Sequence, residues 1–198
     1  MSVHPCAADP IIGRFDYSPL ASPGCEKTYN SLCTQINFQP ESTVATVPAG
    51  WLKDTGAAYA ERGNGQSYGW SCDLTADTRE RAGNVGSGLY GSDPLLDTFI
   101  IADRHEICAS TYWSIALAPG TYLVEIGFGD PSYDGSSSGC TVGPSSGTMQ
   151  VIDTSWGTYY TGLVISTHSV TIGAGQSLRF AGEYSIDCSG INTITITG

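Results

Sequence analysis

Apolar residues along this chain recur at alternate positions over short stretches, and clusters of Gly, Pro, Asp and Ser separate one stretch from the next. Alternation with period two places one set of side chains on one face of an extended strand, which is the pattern of a half-buried β-strand. It is clearest in TYWSIALAPGTYLVEIGFGD, where Trp113, Ile115 and Leu117 alternate with Ser114 and Ala116, and Tyr122, Val124, Ile126 and Phe128 alternate with Glu125 and Gly127. Ala118, Pro119 and Gly120 between the two runs supply turn chemistry, and the whole reads as a hairpin. Further strands are predicted over 35–39, 97–101, 148–152, 160–172, 177–181 and 191–197. Helical periodicity is nearly absent. The stretch DLTADTRERA from Asp73 to Ala82 contains helix formers without an apolar face, so it reads as a loop or a single turn. SSSG and PSSG, near residues 136–147, have the composition of flexible loops.

Strands separated by turn signals at short spacing predict an all-β chain, a sandwich or barrel, from about residue 35 onward. Residues 1–34 differ: three of the seven cysteines and four prolines fall there with no sustained period, so they read as an irregular, Cys-containing N-terminal extension.

Composition narrows the function. The chain has 198 residues, of which 25 are Gly and 10 are Pro, and only 14% are charged, against roughly 25% in ordinary soluble domains. With 40% hydrophobic residues there is enough apolar matter for a core, and no run approaches the ~18 apolar residues of a membrane span. The net charge is −11 and Lys27 and Lys53 are the only lysines, so nucleic acid and anionic membrane surfaces would meet a repulsive field. Cys6, Cys25, Cys33, Cys72, Cys108, Cys140 and Cys188 show no C-x-x-C spacing and read as disulfide formers, with one left over. Disulfides imply an extracellular, cell-surface or virion setting, although the N-terminus MSVHPCAADP shows neither a basic region nor an apolar core of a secretory signal. There is no N-x-S/T sequon.

Several catalytic motifs fail on context. Gly65-Gln66-Ser67-Tyr68-Gly69 fits the G-x-S-x-G elbow of hydrolases, but a strand before the serine and a helix after it are not predicted. Gly86 to Gly91 fits G-x-G-x-x-G, again without the flanking strand and helix. His105 in DRHE, with Asp103, is the remaining candidate for a triad, and a solvated loop histidine is the simpler reading. Asp130 with Asp134, or Asp73 with Asp77, offers oxygen ligands for a structural Ca²⁺ without the spacing of an EF-hand. No other cofactor is expected.

Aromatic and polar residues concentrate in DTGAAYAERGNGQSYGW, which holds Asp54, Tyr59, Arg62, Tyr68 and Trp70, and in DPSYD, which holds Asp130 and Tyr133. Such mixtures recognise sugars, an aromatic face packing on C–H groups while carboxylates, amides and guanidinium groups pair with hydroxyls. Trp70 fits either a platform or the core. INFQP, VPAGWLKDTGAAYAERGNGQSYGW, LLDTFI, YWSIALAPGTYLVEIGFGDPSY and INTITIT, in that order, resemble the malectin-like or galactose-binding-like β-sandwich modules of carbohydrate-active proteins. The resemblance covers about residues 35–198. It implies a jelly roll of two antiparallel sheets that binds carbohydrate through loops at one end, without catalysis. The expected ligand residues are then Asp54, Tyr59, Arg62, Tyr68, Trp70, Asp130 and Tyr133, and the expected partner is a neutral glycan or glycoprotein. Cys72, Cys108, Cys140 and Cys188, and the insertion GSSSGCTVGPSSG, depart from the family pattern. The alternative is a structural subunit of a fibril, surface layer or virus particle, the sandwich serving as a packing unit and the extension reaching a neighbour; an enzyme ranks third.

Overall fold

The computed structural model describes residues 32–42, 47–81, 95, 97–102, 104, 106–129, 140–152, 164–182 and 190–198. The extension expected over 1–34 lies almost wholly outside these residues. Thirteen strands and one 3-10 turn make up the regular structure described: β1 (Cys33–Phe38), β2 (Trp51–Asp54), β3 (Ala60–Glu61), β4 (Ser67–Trp70), the turn Thr75–Asp77, β5 (Thr78–Glu80), β6 (Thr98–Ile100), β7 (Tyr112–Ala116), β8 (Gly120–Phe128), β9 (Cys140–Pro144), β10 (Gln150–Val151), β11 (Val164–Ile172), β12 (Ser177–Gly182) and β13 (Ile191–Thr197). They form two sheets. One runs β11-β8-β13-β1-β2, with β6 joining β13 and β5 pairing β6; the other runs β10-β9-β12-β7-β4-β3. The chain is therefore an all-β sandwich, as its alternation predicts. Its pairings are antiparallel except that β2 lies parallel to β1, Gln35 opposite Trp51 and Phe38 opposite Asp54.

Alternation in each long strand sends one apolar row into the space between the sheets. Val124, Ile126 and Phe128 from β8, Ile194 and Ile196 from β13, and Ile36 and Phe38 from β1 meet Trp70, Trp113, Ile115, Leu178 and Phe180 from the opposite sheet. Phe38 packs edge-on against both Trp70 and Trp113, with ring centroids 5.8 Å apart in each case. Edge-to-face geometry of this kind adds to what burial alone contributes.

The two strongest strands do not form the expected hairpin. β7 pairs with β12 and β4 in the six-stranded sheet, whereas β8 pairs with β11 and β13 in the other. The Ala118-Pro119-Gly120 connection is thus an arch from one sheet to the other, held by Tyr122 Oη donating to the Ala118 carbonyl at 2.7 Å. Two further expectations change. Cys140–Pro144, inside the stretch read as flexible loop, is a strand between β10 and β12. Asp73 to Ala82 does contain the single turn expected, but Thr78–Glu80 beyond it is a strand.

Polar side chains fix how β6 joins the sheet. The register of β13 against β8 shifts between Ile191 and Thr193, and the buried Asn192 at that bulge donates Nδ2–H to the Thr98 carbonyl at 2.9 Å. Asn37 in turn donates to the Asn192 carbonyl at 3.1 Å and accepts from the Thr98 hydroxyl at 3.3 Å. A bulge exposes backbone groups that the ladder would otherwise consume, and here two asparagines satisfy them.

Cys72 and Cys108 form a disulfide between the end of β4 and the approach to β7, Cα atoms 6.4 Å apart. Cys33 and Cys140 are disulfide-bonded as well; Cys6, Cys25 and Cys188 lie outside the described residues. Bonds of this kind persist in an oxidising environment. Among the described residues no helix is long and apolar enough to cross a membrane.

Candidate functional site

The segment expected to carry a sugar site folds into a buried knot at the edge of the six-stranded sheet. Asp54, at the end of β2, is 2% exposed. Its Oδ1 accepts the Gly56 N–H at 2.8 Å, and its Oδ2 accepts the indole N–H of Trp113 at 2.8 Å. Burial pushes this carboxyl above the usual carboxylate range; the Gly56 and Trp113 N–H groups and the charge of Arg62 pull the other way. Tyr68 and Trp70 are 4% and 1% exposed. Tyr68 packs on Trp113 at 6.2 Å between ring centroids and donates its hydroxyl to the Lys53 carbonyl at 3.3 Å, while Trp70 lies against Phe38. Trp70 is thus core rather than platform.

Arg62 is committed to the same knot. It donates Nε–H to the Tyr68 carbonyl at 3.0 Å and Nη2–H to the carbonyls of Ala57 and Ala58 at 3.1 and 2.9 Å, with its guanidinium 5.1 Å from the centre of the Tyr68 ring. The glycines serve the knot too. Gly56 has φ +85°, and a Cβ there would sit 2.7 Å from the Leu74 carbonyl; one on Gly69, at φ +138°, would sit 2.7 Å from the Ala57 oxygen. Only glycine meets both demands. Tyr59 alone of these residues is well exposed, at 45%. Asp130 and Tyr133 lie outside the described residues. Asp54, Arg62, Tyr68 and Trp70 therefore come together, as the sequence implied, but with their polar atoms turned to one another and to the backbone.

Other motifs resolve in the same way. Ser67 opens β4 and is not followed by a helix, so no hydrolase elbow forms. Asp73 caps the Thr75 N–H at 2.9 Å, which holds its carboxyl below the ordinary range. Asp77 is buried and accepts Arg104 Nε–H at 2.6 Å, with Nη2 closing on the same oxygen. Of the two pairs considered for calcium, Asp73 with Asp77 is thus divided between a cap and an ion pair, and no group of three or more metal-ligating side chains occurs among the described residues. Asp134, Asp103 and His105 lie outside them.

Arg104 ties the chain after β6 to the turn before β5. Arg104→Met is expected to lower unfolding free energy by about 2–3 kcal/mol, because it leaves the buried Asp77 carboxylate to the more distant Arg79, whose Nη2 lies 3.8 Å away. Partial exposure of Arg104 keeps the loss at the lower end. Urea denaturation would measure it, and adding Asp77→Asn to the same chain should recover most of the loss.

A second, partly buried cluster was not singled out in the sequence. On β12, Leu178 and Phe180 enter the core, so Arg179 between them stands on the outer face of the six-stranded sheet. On β7, Trp113 enters the core and Tyr112 stands outside. The Arg179 guanidinium lies 3.9 Å from the centre of the Tyr112 ring. Its Nε is buried without a hydrogen-bond partner, and none of the ion pairs described involves it. Ser114 and Gly143 are its direct cross-strand neighbours, and β7, β9 and β12 carry no acidic residue. Strand alternation marks Arg179 as outward-facing. Nothing local marks Tyr112, 67 positions earlier, as its partner.

No family model matches this chain, and no curated protein matches it. Among solved structures, the crystal structure of protein YXIM from Bacillus subtilis is similar at 17% identity with a TM-score of 0.45, over 83% of this chain and 39% of that one.

Proposed function

We propose that this protein is a carbohydrate-binding β-sandwich of extracellular or cell-surface type, and that it engages a neutral glycan on the outer face of its six-stranded sheet. The observation that carries this reading is the Arg179–Tyr112 stack. A guanidinium stacked on an aromatic ring keeps a fixed fork of N–H donors, and among the described residues no carboxylate pairs with this one. A molecule of net charge −11 disfavours polyanions at long range, whereas paired hydroxyls of a neutral sugar suit the fork and the low charge of the face. The binding face is thus moved from the loops implied by the family resemblance to a sheet surface.

A neutral glycan array followed by titration calorimetry tests this. Arg179→Ala and Tyr112→Ala are each expected to weaken binding about tenfold, the worth of one charge-assisted hydrogen bond, while the thermal midpoint changes little. Silence across the array, or binding indifferent to both substitutions, overturns the reading.

One observation favours a structural subunit as the second reading. Ile165 on β11, Leu123 on β8 opposite Ser169, and Val151 on β10 are exposed, and the seven cysteines cannot all pair within one chain. Sedimentation under oxidising and reducing conditions separates the two: a concentration-dependent or disulfide-linked oligomer supports the packing unit, a monomer the lectin.

A further inference from the structure

On β11 the buried Val170 and Ile172 face the core, and Ser166 and His168 continue the same row toward the rim, where the side chains become partly exposed. Their direct cross-strand neighbours are Ile126 and Val124 of β8. From the other sheet, Gln150 of β10 reaches across the rim. Ser166 Oγ lies 2.7 Å from His168 Nε2, His168 Nδ1 lies 3.3 Å from Gln150 Oε1, and Gln150 Nε2 lies 2.7 Å from the Ser169 carbonyl oxygen.

The direction of every proton in this chain follows from its last link. A carbonyl oxygen only accepts, so the Gln150 atom facing Ser169 is the NH₂ and the atom facing the imidazole is the amide oxygen. That oxygen also only accepts, so His168 carries its proton on Nδ1. Nε2 is then a lone pair, and the Ser166 hydroxyl donates to it. The result is a serine hydrogen-bonded to a histidine base, with the base set in one tautomer by a third group. Burial also lowers the affinity of His168 for a second proton, favouring the neutral base at pH 7. Among the described residues the ring's polar neighbours are Ser166 and Gln150, and Glu125, next along β8, points to the opposite face of the sheet.

We propose that Ser166 is an activated nucleophile that accepts the acyl group of a small ester, with His168 as its base and Gln150 as the residue that positions His168. In the step, Ser166 Oγ bonds to the ester carbonyl carbon as its proton passes to His168 Nε2. The carbon–alkoxy bond then breaks, and the departing alkoxide takes that proton and leaves as the alcohol. Water, deprotonated by His168, afterwards attacks the acyl-serine, releasing the carboxylic acid and restoring the hydroxyl. This chemistry lies on the rim between β10 and β11 and is independent of the glycan face around Arg179.

The test is labelling of the folded, oxidised protein with a fluorophosphonate, mapped by peptide mass spectrometry, with p-nitrophenyl acetate as a second probe. Ser166 is expected to be modified well ahead of every other serine, with a stoichiometric burst of p-nitrophenolate. The rate should rise with pH about a midpoint below the ordinary histidine value. His168→Phe should slow labelling about a hundredfold, the typical worth of a general base; His168→Gln serves if the Phe variant does not fold. Gln150→Ala should slow it severalfold. Gln150→Glu should restore the rate and move the midpoint upward, because a carboxylate favours the imidazolium; a merely structural role would leave that midpoint in place. Labelling of Ser166 at the rate of other surface serines, or at an equal rate without the imidazole, overturns the proposal.

Discussion

Asp54→Ala is expected to lower the unfolding free energy by about 3–4 kcal/mol, measured by urea denaturation of the oxidised protein. The carboxylate sits beneath the sheet edge and satisfies two buried donors, the Gly56 N–H and the Trp113 indole N–H, each at 2.8 Å. Alanine leaves both unpaired, and each orphaned buried donor costs about 1–3 kcal/mol. Asp54→Asn should cost roughly half as much, since its single oxygen serves one donor while its NH₂ faces the other. Were Asp54 a sugar ligand at a solvated rim, either substitution would leave stability within about 0.5 kcal/mol.

The same residue sets a pH dependence with a definite sign. Burial is the leading cause of the raised pKa, so the folded state holds the Asp54 proton more tightly than the unfolded chain does. The contribution is fully present below the ordinary Asp value of about 3.9, and it is lost as pH rises through the raised folded value. In Asp54→Asn this loss above the ordinary Asp value disappears, and its stability plotted against pH should be flatter there than that of the wild-type protein.

Asp54 also marks where reading the chain succeeds and where it stops. Alternation reports which side chains share a face, and it placed β12 and β13 within a residue of their observed ends and β8 within two. It does not report the partner strand, because an apolar row looks the same whether the next strand lies in its own sheet or the opposite one. That is why Trp113–Leu117 and Tyr122–Phe128 read as a hairpin although the chain arches between sheets after Ala116. Asp54, Arg62, Tyr68 and Trp70 were legible as a concentration of aromatic and polar groups. Their burial was not, since it depends on Trp113, which lies 59 residues from Asp54. Gly56 and Gly69 read as loop glycines, yet their positive φ is what lets the segment fold back on itself. Ser166 and His168 fall within the strand predicted over 160–172, but nothing in the sequence paired them, and the Gln150 that orients them belongs to a two-residue strand of the other sheet.

Removing the Cys72–Cys108 bond is expected to have an effect of similar size by a different physical route. The two cysteines lie 36 positions apart, and between them the chain leaves the six-stranded sheet, contributes β5 and β6 to the other, and returns at β7. In the unfolded state the cross-link denies that segment the freedom of an open chain, which the loop-closure relation puts at about 4 kcal/mol for this length. Native contacts around the bond hold its ends together independently: Ser71 Oγ donates to the Ser110 carbonyl at 2.8 Å and accepts the Tyr112 N–H at 3.2 Å, and Trp70 pairs with Trp113 two rungs away. The folded geometry should therefore survive in a Cys72→Ala, Cys108→Ala double variant while its stability falls. Urea denaturation under oxidising conditions is expected to show a lower midpoint by about the stated free energy. The slope against urea should steepen slightly, because the uncrosslinked chain exposes more surface on unfolding. An unchanged midpoint would mean that the 73–107 excursion is already held as tightly by β6, Asn192 and the Arg104–Asp77 pair as by the covalent bond. Arg104→Met in the double-variant background measures that balance directly: if the disulfide and the ion pair restrain the same excursion, the combined loss exceeds the sum of the separate ones, and if they act on separate parts of the fold the losses simply add.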